Sequence, residues 1–113
     1  MKTKLADKKC EDPADSTPPL RGRKLEDLKK ELRHGWKVVK QHHLEKQFKF
    51  DDFKGALAFT NRVGKLADKL NHHPDIFLTY GEVRLQIWTH RIKGLAESDF
   101  ILAAKINRLN GAN

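Results

Sequence analysis

The sequence has little cysteine and no long apolar run. Cys10 is the single cysteine among 113 residues, which excludes a disulfide framework within the chain and a zinc site built on cysteine ligands. No apolar stretch approaches the ~18 residues that a membrane span needs. Residues 1–9 have basic side chains but no hydrophobic stretch behind them, which argues against a secretory signal. These absences predict a soluble cytoplasmic protein, and the length supports one domain.

Basic charge is abundant but dispersed. Lys and Arg number 23 against 15 Asp and Glu, so the net charge is +8, with +2 on residues 1–23 and +6 on the remainder. No run of five basic residues, no zinc-finger spacing and no RNP-like aromatic motif is present. Net charge alone favours solubility and non-specific association. We therefore expect no specific nucleic-acid site, and a nucleic-acid role would show a steep loss of affinity with salt.

The prolines divide the chain. Pro13, Pro18 and Pro19 lie in residues 1–23, which contain little that could be buried. This composition predicts a disordered leader over residues 1–23 and a single domain over residues 24–113.

Hydrophobic periodicity predicts seven elements. In chain order they are helix 24–34, strand 36–40, strand 44–50, helix 51–71, strand 76–80, strand 83–90 and helix 98–109. Asp51 or Asp52 can cap the second helix, and Pro74 requires that it end at about His72. In the last strand Val83, Leu85 and Ile87 share one face, and the opposite face carries Trp88 and His90. The order predicts an α+β fold, an antiparallel sheet covered by helices on one face.

Histidines gather near two of these elements. Asn71-His72-His73-Pro74 follows the long helix, and Trp88-Thr89-His90 closes the last strand. Asp68 precedes His72 by four residues, so we expect both side chains on one helix face. An imidazole with a pKa of about 6.5 exchanges protons readily near neutrality, and a carboxylate can fix its tautomer. The pattern indicates an acid–base site, with an indole available to cover a flat aromatic substrate.

Other interpretations remain open for these residues. A His-His pair at a helix end is often an ordinary polar surface, and we interpret His42-His43 in that way. Metal binding competes, but adjacent histidines diverge in direction and neither an i, i+4 histidine pair nor a cysteine partner is present. We therefore expect no metal. Nucleophilic catalysis has little support, since Cys10 lies in the leader and no serine occupies an elbow motif.

One long stretch resembles the pterin-4a-carbinolamine dehydratase family. The stretch is FTNRVGKLADKLNHHPDIFLTYGEVRLQIWTHRIKGLAESDF, residues 59–100. The order and spacing of the family are kept by an acidic residue separated by three residues from His-His-Pro, then by Tyr–x2–Val and Thr-His–x3–Gly-Leu. The resemblance extends through most of residues 36–109, and the phrases ALAFTNRVG and IKGLAESDFILAAK are similar to bacterial members.

The resemblance implies a fold and a reaction. The implied fold is a four-stranded antiparallel sheet with three helices on one side, in homodimers or homotetramers. The implied reaction removes water from 4a-hydroxytetrahydropterin to give quinonoid dihydropterin, without metal or organic cofactor, in pterin recycling after an aromatic amino acid hydroxylase. The family's catalytic positions correspond here to His72, His73, His90 and Asp68, and its substrate-binding positions to Asn71, Pro74, Trp88 and Thr89.

We expect a division of labour among these residues. His72 and His90 are the expected acid–base groups, His73 orients the pterin and Asp68 tunes His72. Because Ala96 replaces a serine that often caps the last helix, we expect Ser98 to move the cap inward. A second hypothesis is a dimeric protein-binding module, since animal members of the family also serve as dimerisation cofactors of a homeodomain transcription factor.

Overall fold

Helices and strands alternate in the predicted order. The computed structural model describes residues 4–110, so residues 1–3 of the predicted leader and 111–113 of the predicted domain lie outside it. The elements are α1 (Gly22–Leu32), β1 (Lys37–Val39), β2 (His43–Lys49), α2 (Phe53–Leu70), β3 (Asp75–Leu78), β4 (Glu82–Ile87) and α3 (Glu97–Leu109). The strands form one antiparallel sheet in the order β1-β2-β4-β3, which confirms the α+β prediction. Within residues 4–110, no helix has the length and apolar character needed to cross a membrane.

The buried face of the sheet follows the predicted alternation. Val83, Leu85 and Ile87 of β4 are fully buried, and Leu44 and Phe48 of β2 join them in one core with α2 and α3. Lys46 is a charged residue on this otherwise apolar face, because it lies between Leu44 and Phe48 in the alternation of β2. Its ammonium lies 4.6 Å from the centre of the Phe48 ring, and burial lowers the pKa of the Lys46 side chain. The helices thus cover one face of the sheet.

Helix α2 begins as predicted and ends earlier than predicted. The backbone N–H of Gly55 donates to Asp52 Oδ1 at 2.8 Å, so Asp52 is the N-cap. The helix stops at Leu70 because Asn71 adopts the left-handed conformation, with φ 54° and ψ 39°. The N–H of His72 donates to the Ala67 carbonyl at 3.1 Å, which closes a Schellman motif. The chain therefore leaves the helix axis before His72.

The N-cap of helix α3 is Ala96. The expectation that Ser98 moves the cap inward is wrong, because Asp99 accepts a 2.8 Å hydrogen bond from the Ala96 N–H and stabilises the helix start there. Ser98 is buried, and its hydroxyl has no hydrogen-bond partner within the described part of the chain.

The last strand is shorter than predicted. It ends at Ile87, whereas the alternation predicted residues 83–90. Thr89 then pairs with Gly94 in an isolated bridge, and His90–Ile92 forms a 3-10 turn between them. His90 is therefore presented by a loop rather than by the strand.

The described part of the segment before α1 lies against α3. Leu5 and Ala6 are buried in a 3-10 turn, and Lys105 Nζ donates to the Ala6 carbonyl at 2.9 Å. At the other end, the Leu20 N–H donates to the Leu95 carbonyl at 2.8 Å. A few apolar side chains and these hydrogen bonds attach a segment whose average composition favours disorder.

Candidate active site

A cleft of about 250 Å³ opens where the end of α2 meets the loop after β4. Its lining comprises Asp12, Asn71, His72, His73, Trp88, Thr89, His90 and Arg91. The fold thus brings together most of the residues that the sequence marks as a site. Two predicted residues, Asp68 and Pro74, do not line the cleft, and two unpredicted ones, Asp12 and Arg91, do.

His72 is held by a buried carboxylate. Its Nε2 lies 2.6 Å from Asp99 Oδ1, and Asp99 has no solvent-exposed surface. The other carboxylate oxygen, Oδ2, accepts hydrogen bonds of 2.8 Å from the Thr89 hydroxyl and from the Ala96 N–H. Because three donors fix both oxygens of Asp99, the His72 ring is fixed in turn through Nε2.

The second ring nitrogen of His72 faces another carboxylate. Nδ1 lies 3.6 Å from Asp12 Oδ1. Burial by itself lowers the pKa of His72, but the hydrogen bond to Asp99 and the charges of Asp99 and Asp12 outweigh burial and hold the pKa above its ordinary 6.5. The site therefore favours the imidazolium form, which can donate a proton from the nitrogen that Asp99 does not occupy.

The predicted pairing of Asp68 with His72 is wrong. Asp68 Oδ1 lies 3.4 Å from Nε2 of His73, and both side chains are exposed. The left-handed residue Asn71 ends the helix before His72, so the i, i+4 relationship on a helix face does not apply. The carboxylate partner of His72 comes instead from α3.

Asp99 is not among the site residues that the sequence predicts. It lies in the first turn of α3, where an acidic residue is ordinarily explained by the helix dipole and by capping. No local pattern distinguishes this carboxylate from any other at a helix start. Its contact with His72 spans 27 positions along the chain and is visible only in the folded structure.

Trp88 and His90 form a stack. Their ring centres lie 3.9 Å apart with an interplanar angle of 28°. The His42 ring contacts the same indole at 4.2 Å, so the turn between β1 and β2 reaches the site residues. His42, interpreted from the sequence as part of an ordinary polar surface, therefore packs on Trp88. The indole in turn stacks on His90 and positions it, so the indole is not an open platform beside that ring.

Arg91 joins the cleft to the segment before α1. Its Nη2 lies 3.3 Å from Asp12 Oδ2 and donates to the Pro13 carbonyl at 3.3 Å, and its Nη1 lies 3.5 Å from Asp15 Oδ1. Neither Arg91 nor Asp12 has a local sequence signal, because their relationship depends on how the N-terminal residues pack. Arg91 thus holds Asp12 at the edge of the cleft.

The cleft presents side chains that are able to transfer protons. Among residues 4–110, no group of three or more His, Cys, Asp or Glu side chains is arranged to hold a metal ion. Burial raises the pKa of Cys10 to about 11, and the charge of Asp99 adds to this effect. The Cys10 thiol is therefore protonated near neutrality and a poor nucleophile. Three imidazoles line the cleft, and the raised pKa of His72 favours its charged form.

Comparison with known proteins identifies relatives along nearly the whole chain. The family model described as Pterin 4 alpha carbinolamine dehydratase matches residues 18–109. A Rubrobacter xylanophilus protein named "Putative pterin-4-alpha-carbinolamine dehydratase" is 49% identical over 107 residues, 95% of this chain and 99% of its own. A protein of the same name from Alkaliphilus metalliredigens is 47% identical over 104 residues, 92% of this chain and 94% of its own. The crystal structure of a transcriptional coactivator/pterin dehydratase from Brucella melitensis is 32% identical with a TM-score of 0.74, and covers 80% of this chain and 97% of that one. The chain belongs to the pterin-4a-carbinolamine dehydratase family.

Proposed function

We propose that this protein removes water from a 4a-hydroxytetrahydropterin to give a quinonoid dihydropterin, by acid–base catalysis with its histidines. The observation that carries the proposal is the 2.6 Å contact between His72 and the buried Asp99 at a cleft that also presents His73 and His90. Family membership supports a dehydratase, and this contact supports histidine as its proton donor.

The reaction needs one proton donor and one proton acceptor. The bond between C4a and the hydroxyl oxygen breaks, and the oxygen leaves as water with a proton from the donor. The lone pair on N5 forms the new double bond to C4a, and the acceptor takes a proton from a ring nitrogen. Positioned acid–base groups contribute about 10²–10⁴-fold to such a step.

His72 is the proton donor in this proposal. Its Nε2 is occupied by Asp99, so Nδ1 is the atom from which a proton can reach the departing hydroxyl. Thr89 acts through Asp99, since its hydroxyl donates to the second carboxylate oxygen. His90 is the acceptor, and the stacked Trp88 ring holds it in place.

The remaining predicted residues orient the pterin or position the residues that do. His73 lies at the cleft and Asp68 contacts it at 3.4 Å, so Asp68 positions His73 rather than His72. Asn71 lines the cleft and supplies the left-handed turn that separates His72 from the helix. Pro74 fixes the backbone after the two histidines.

The family resemblance supports a physiological setting for this reaction. We assign the protein to tetrahydrobiopterin recycling in the cytoplasm, after an aromatic amino acid hydroxylase, with the small-molecule pterin as substrate. We also expect a homodimer or homotetramer that needs no metal and no organic cofactor.

A stopped-flow assay of 4a-carbinolamine dehydration with catalytic amounts of protein tests the proposal. We expect wild type to accelerate the reaction and His72→Ala and His90→Ala, singly and together, to remove most of the acceleration. His34→Ala is the matched control, because this histidine does not line the cleft, and it should retain wild-type rates. Wild-type rates in the His72→Ala and His90→Ala variants would refute the assignment of these histidines.

A dimeric protein-binding module is the second candidate. The observation that favours it is that the Brucella melitensis relative is described as a transcriptional coactivator as well as a pterin dehydratase. The same assay distinguishes the two functions, because a protein with no acceleration over buffer is not a dehydratase and the binding module then becomes the better explanation.

A further inference from the structure

The segment over residues 8–20, here called the N-terminal strap, crosses the edge of the cleft. Leu5 and Ala6 attach the chain just before the strap, and the Leu20 hydrogen bond to Leu95 fixes its end. Pro19 packs so closely on Gly94 that a β-carbon there would lie 2.7 Å from Pro19 Cβ. Arg91 holds the middle of the strap.

Within the strap, Asp12 alone lines the cleft. Its two carboxylate oxygens have different neighbours: Oδ2 lies 3.3 Å from Arg91 Nη2 and Oδ1 lies 3.6 Å from His72 Nδ1. Asp12 is 44% exposed at its side chain, so it reaches His72 from the solvent side. Asp99 reaches the same ring from the protein interior.

We propose that Asp12 is a positioning residue of the histidine site: together with Asp99 it holds His72 in the doubly protonated form, with the proton on Nδ1 directed to the cleft. The inference rests on the proposed dehydratase function for its consequence in catalysis. The contact itself and its effect on His72 do not depend on that function.

Each element around His72 contributes charged or titratable groups to the cleft. They are Asp12 from the strap, His73 from the end of α2, His90 and Arg91 from the loop after β4, and Asp99 from α3. Asp99 and Asp12 are the carboxylates whose charges raise the pKa of His72. Replacing Asp12 therefore leaves Asp99 in place and removes one of these two charges. Arg91 pairs with Asp12 and with Asp15, so a substitution at either aspartate removes one ion pair with Arg91.

Asp15 offers a matched control. It lies on the same strap and pairs with Arg91, but it does not line the cleft. Asp12→Asn and Asp15→Asn therefore make the same chemical change and each weaken the attachment to Arg91. Asp12→Asn alone removes a charge next to His72. Asp12→Glu restores the charge on a longer side chain.

Two measurements on the full chain test the inference. The first is an NMR titration of the His72 imidazole, assigned by loss of its signals in His72→Gln. We expect Asp12→Asn to lower the titration midpoint, Asp15→Asn to leave it unchanged, and Asp12→Glu to restore it at least in part. A midpoint for Asp12→Asn equal to that of wild type overturns the inference.

The second measurement is the pH profile of kcat/KM for carbinolamine dehydration. We expect the alkaline limb of the Asp12→Asn profile to move to lower pH, with about a two- to fivefold loss near pH 8, the size of one exposed ion pair, and little loss near pH 6. A uniform loss at all pH values, or an equal effect of Asp15→Asn, would show a merely structural strap and overturn the inference. If wild type itself is inactive, the dehydratase proposal fails and the NMR titration alone decides the role of Asp12.

Discussion

His72 Nε2 and Asp99 Oδ1 lie 2.6 Å apart and join the end of α2 to the first turn of α3. Both residues are buried, at 7% and 0% exposure. This contact organises the site, because it fixes the ring that faces the cleft and leaves one nitrogen for proton transfer. It also connects the candidate site to the fold, since the same carboxylate accepts the Ala96 N–H at the start of α3.

Asp99→Asn should damage both stability and activity. The amide keeps the shape of the side chain but removes the charge that compensates His72, so we expect a loss of about 3 kcal/mol in the free energy of unfolding. Activity should fall about 100-fold or more, because the acid–base group loses its orientation. Urea denaturation and the stopped-flow assay measure the two effects.

Asp68→Asn is the control for this stability effect. Its pairing with His73 is solvent-exposed, so the free energy of unfolding should change by less than about 0.5 kcal/mol. Equal losses in the two variants would contradict the view that burial of Asp99 makes the difference.

Local patterns were enough to predict most of the fold. The alternation in β4 placed Val83, Leu85 and Ile87 on the buried face because a strand's side chains alternate strictly. The Asp52 cap was recognisable because the side chain and its backbone partner are three residues apart. The end of α2 was set about two residues too late, since Pro74 limits the helix but does not reveal the left-handed Asn71.

The carboxylates of the site escaped sequence analysis for a different reason. Family resemblance and local spacing identified the histidines, which lie close together along the chain or at the end of a strand. Asp12 and Asp99 reach His72 through tertiary packing, from a segment expected to be disordered and from a helix start. Asp68, four residues away, was the plausible local partner and was wrong because the helix ends between the two.

Stability should depend on pH through His72. The pKa of His72 in the folded state is raised above 6.5. The stabilisation that this ring contributes to the free energy of unfolding is therefore fully present below about pH 6.5 and is lost as pH rises through the folded pKa. We expect the difference in unfolding free energy between wild type and His72→Gln to shrink as pH increases. Urea denaturation at a series of pH values measures it, and a constant difference would contradict the raised pKa.

His43→Gln should show the opposite sign in the same experiment. Burial, followed by the charge of His42, lowers the pKa of His43. The stabilisation that His43 contributes to the free energy of unfolding is therefore present above about pH 6.5 and is lost as pH falls through the folded pKa. Parallel curves for the two variants would show that the pH dependence does not come from these rings.

Cys10 should react slowly in the folded protein. Burial, with the charge of Asp99, raises the pKa of its thiol from 9.0 to about 11, and its Sγ lies 3.5 Å from the Ser98 carbonyl. The thiolate fraction near pH 8 is therefore roughly 100-fold lower than in the unfolded chain. We expect alkylation by iodoacetamide, followed by mass spectrometry, to be about 100-fold slower without urea than with it. Equal rates would show that the strap is not packed and would support the disordered leader.

Two glycine substitutions should change stability in opposite directions. Gly64→Ala lies within α2, where an added β-carbon meets nothing within 4 Å, so the better helix propensity should stabilise the fold by about 0.5–1 kcal/mol. At Gly94 the added carbon would lie 2.7 Å from Pro19 Cβ, so Gly94→Ala must displace the strap or the loop and should cost about 1–3 kcal/mol. Urea denaturation measures the free energy of unfolding of both variants. Gly64→Ala reports the general effect of replacing a glycine, and Gly94→Ala adds the effect of the close contact between the strap and the loop that presents His90. If Gly94→Ala is as stable as wild type, the strap does not press on that loop.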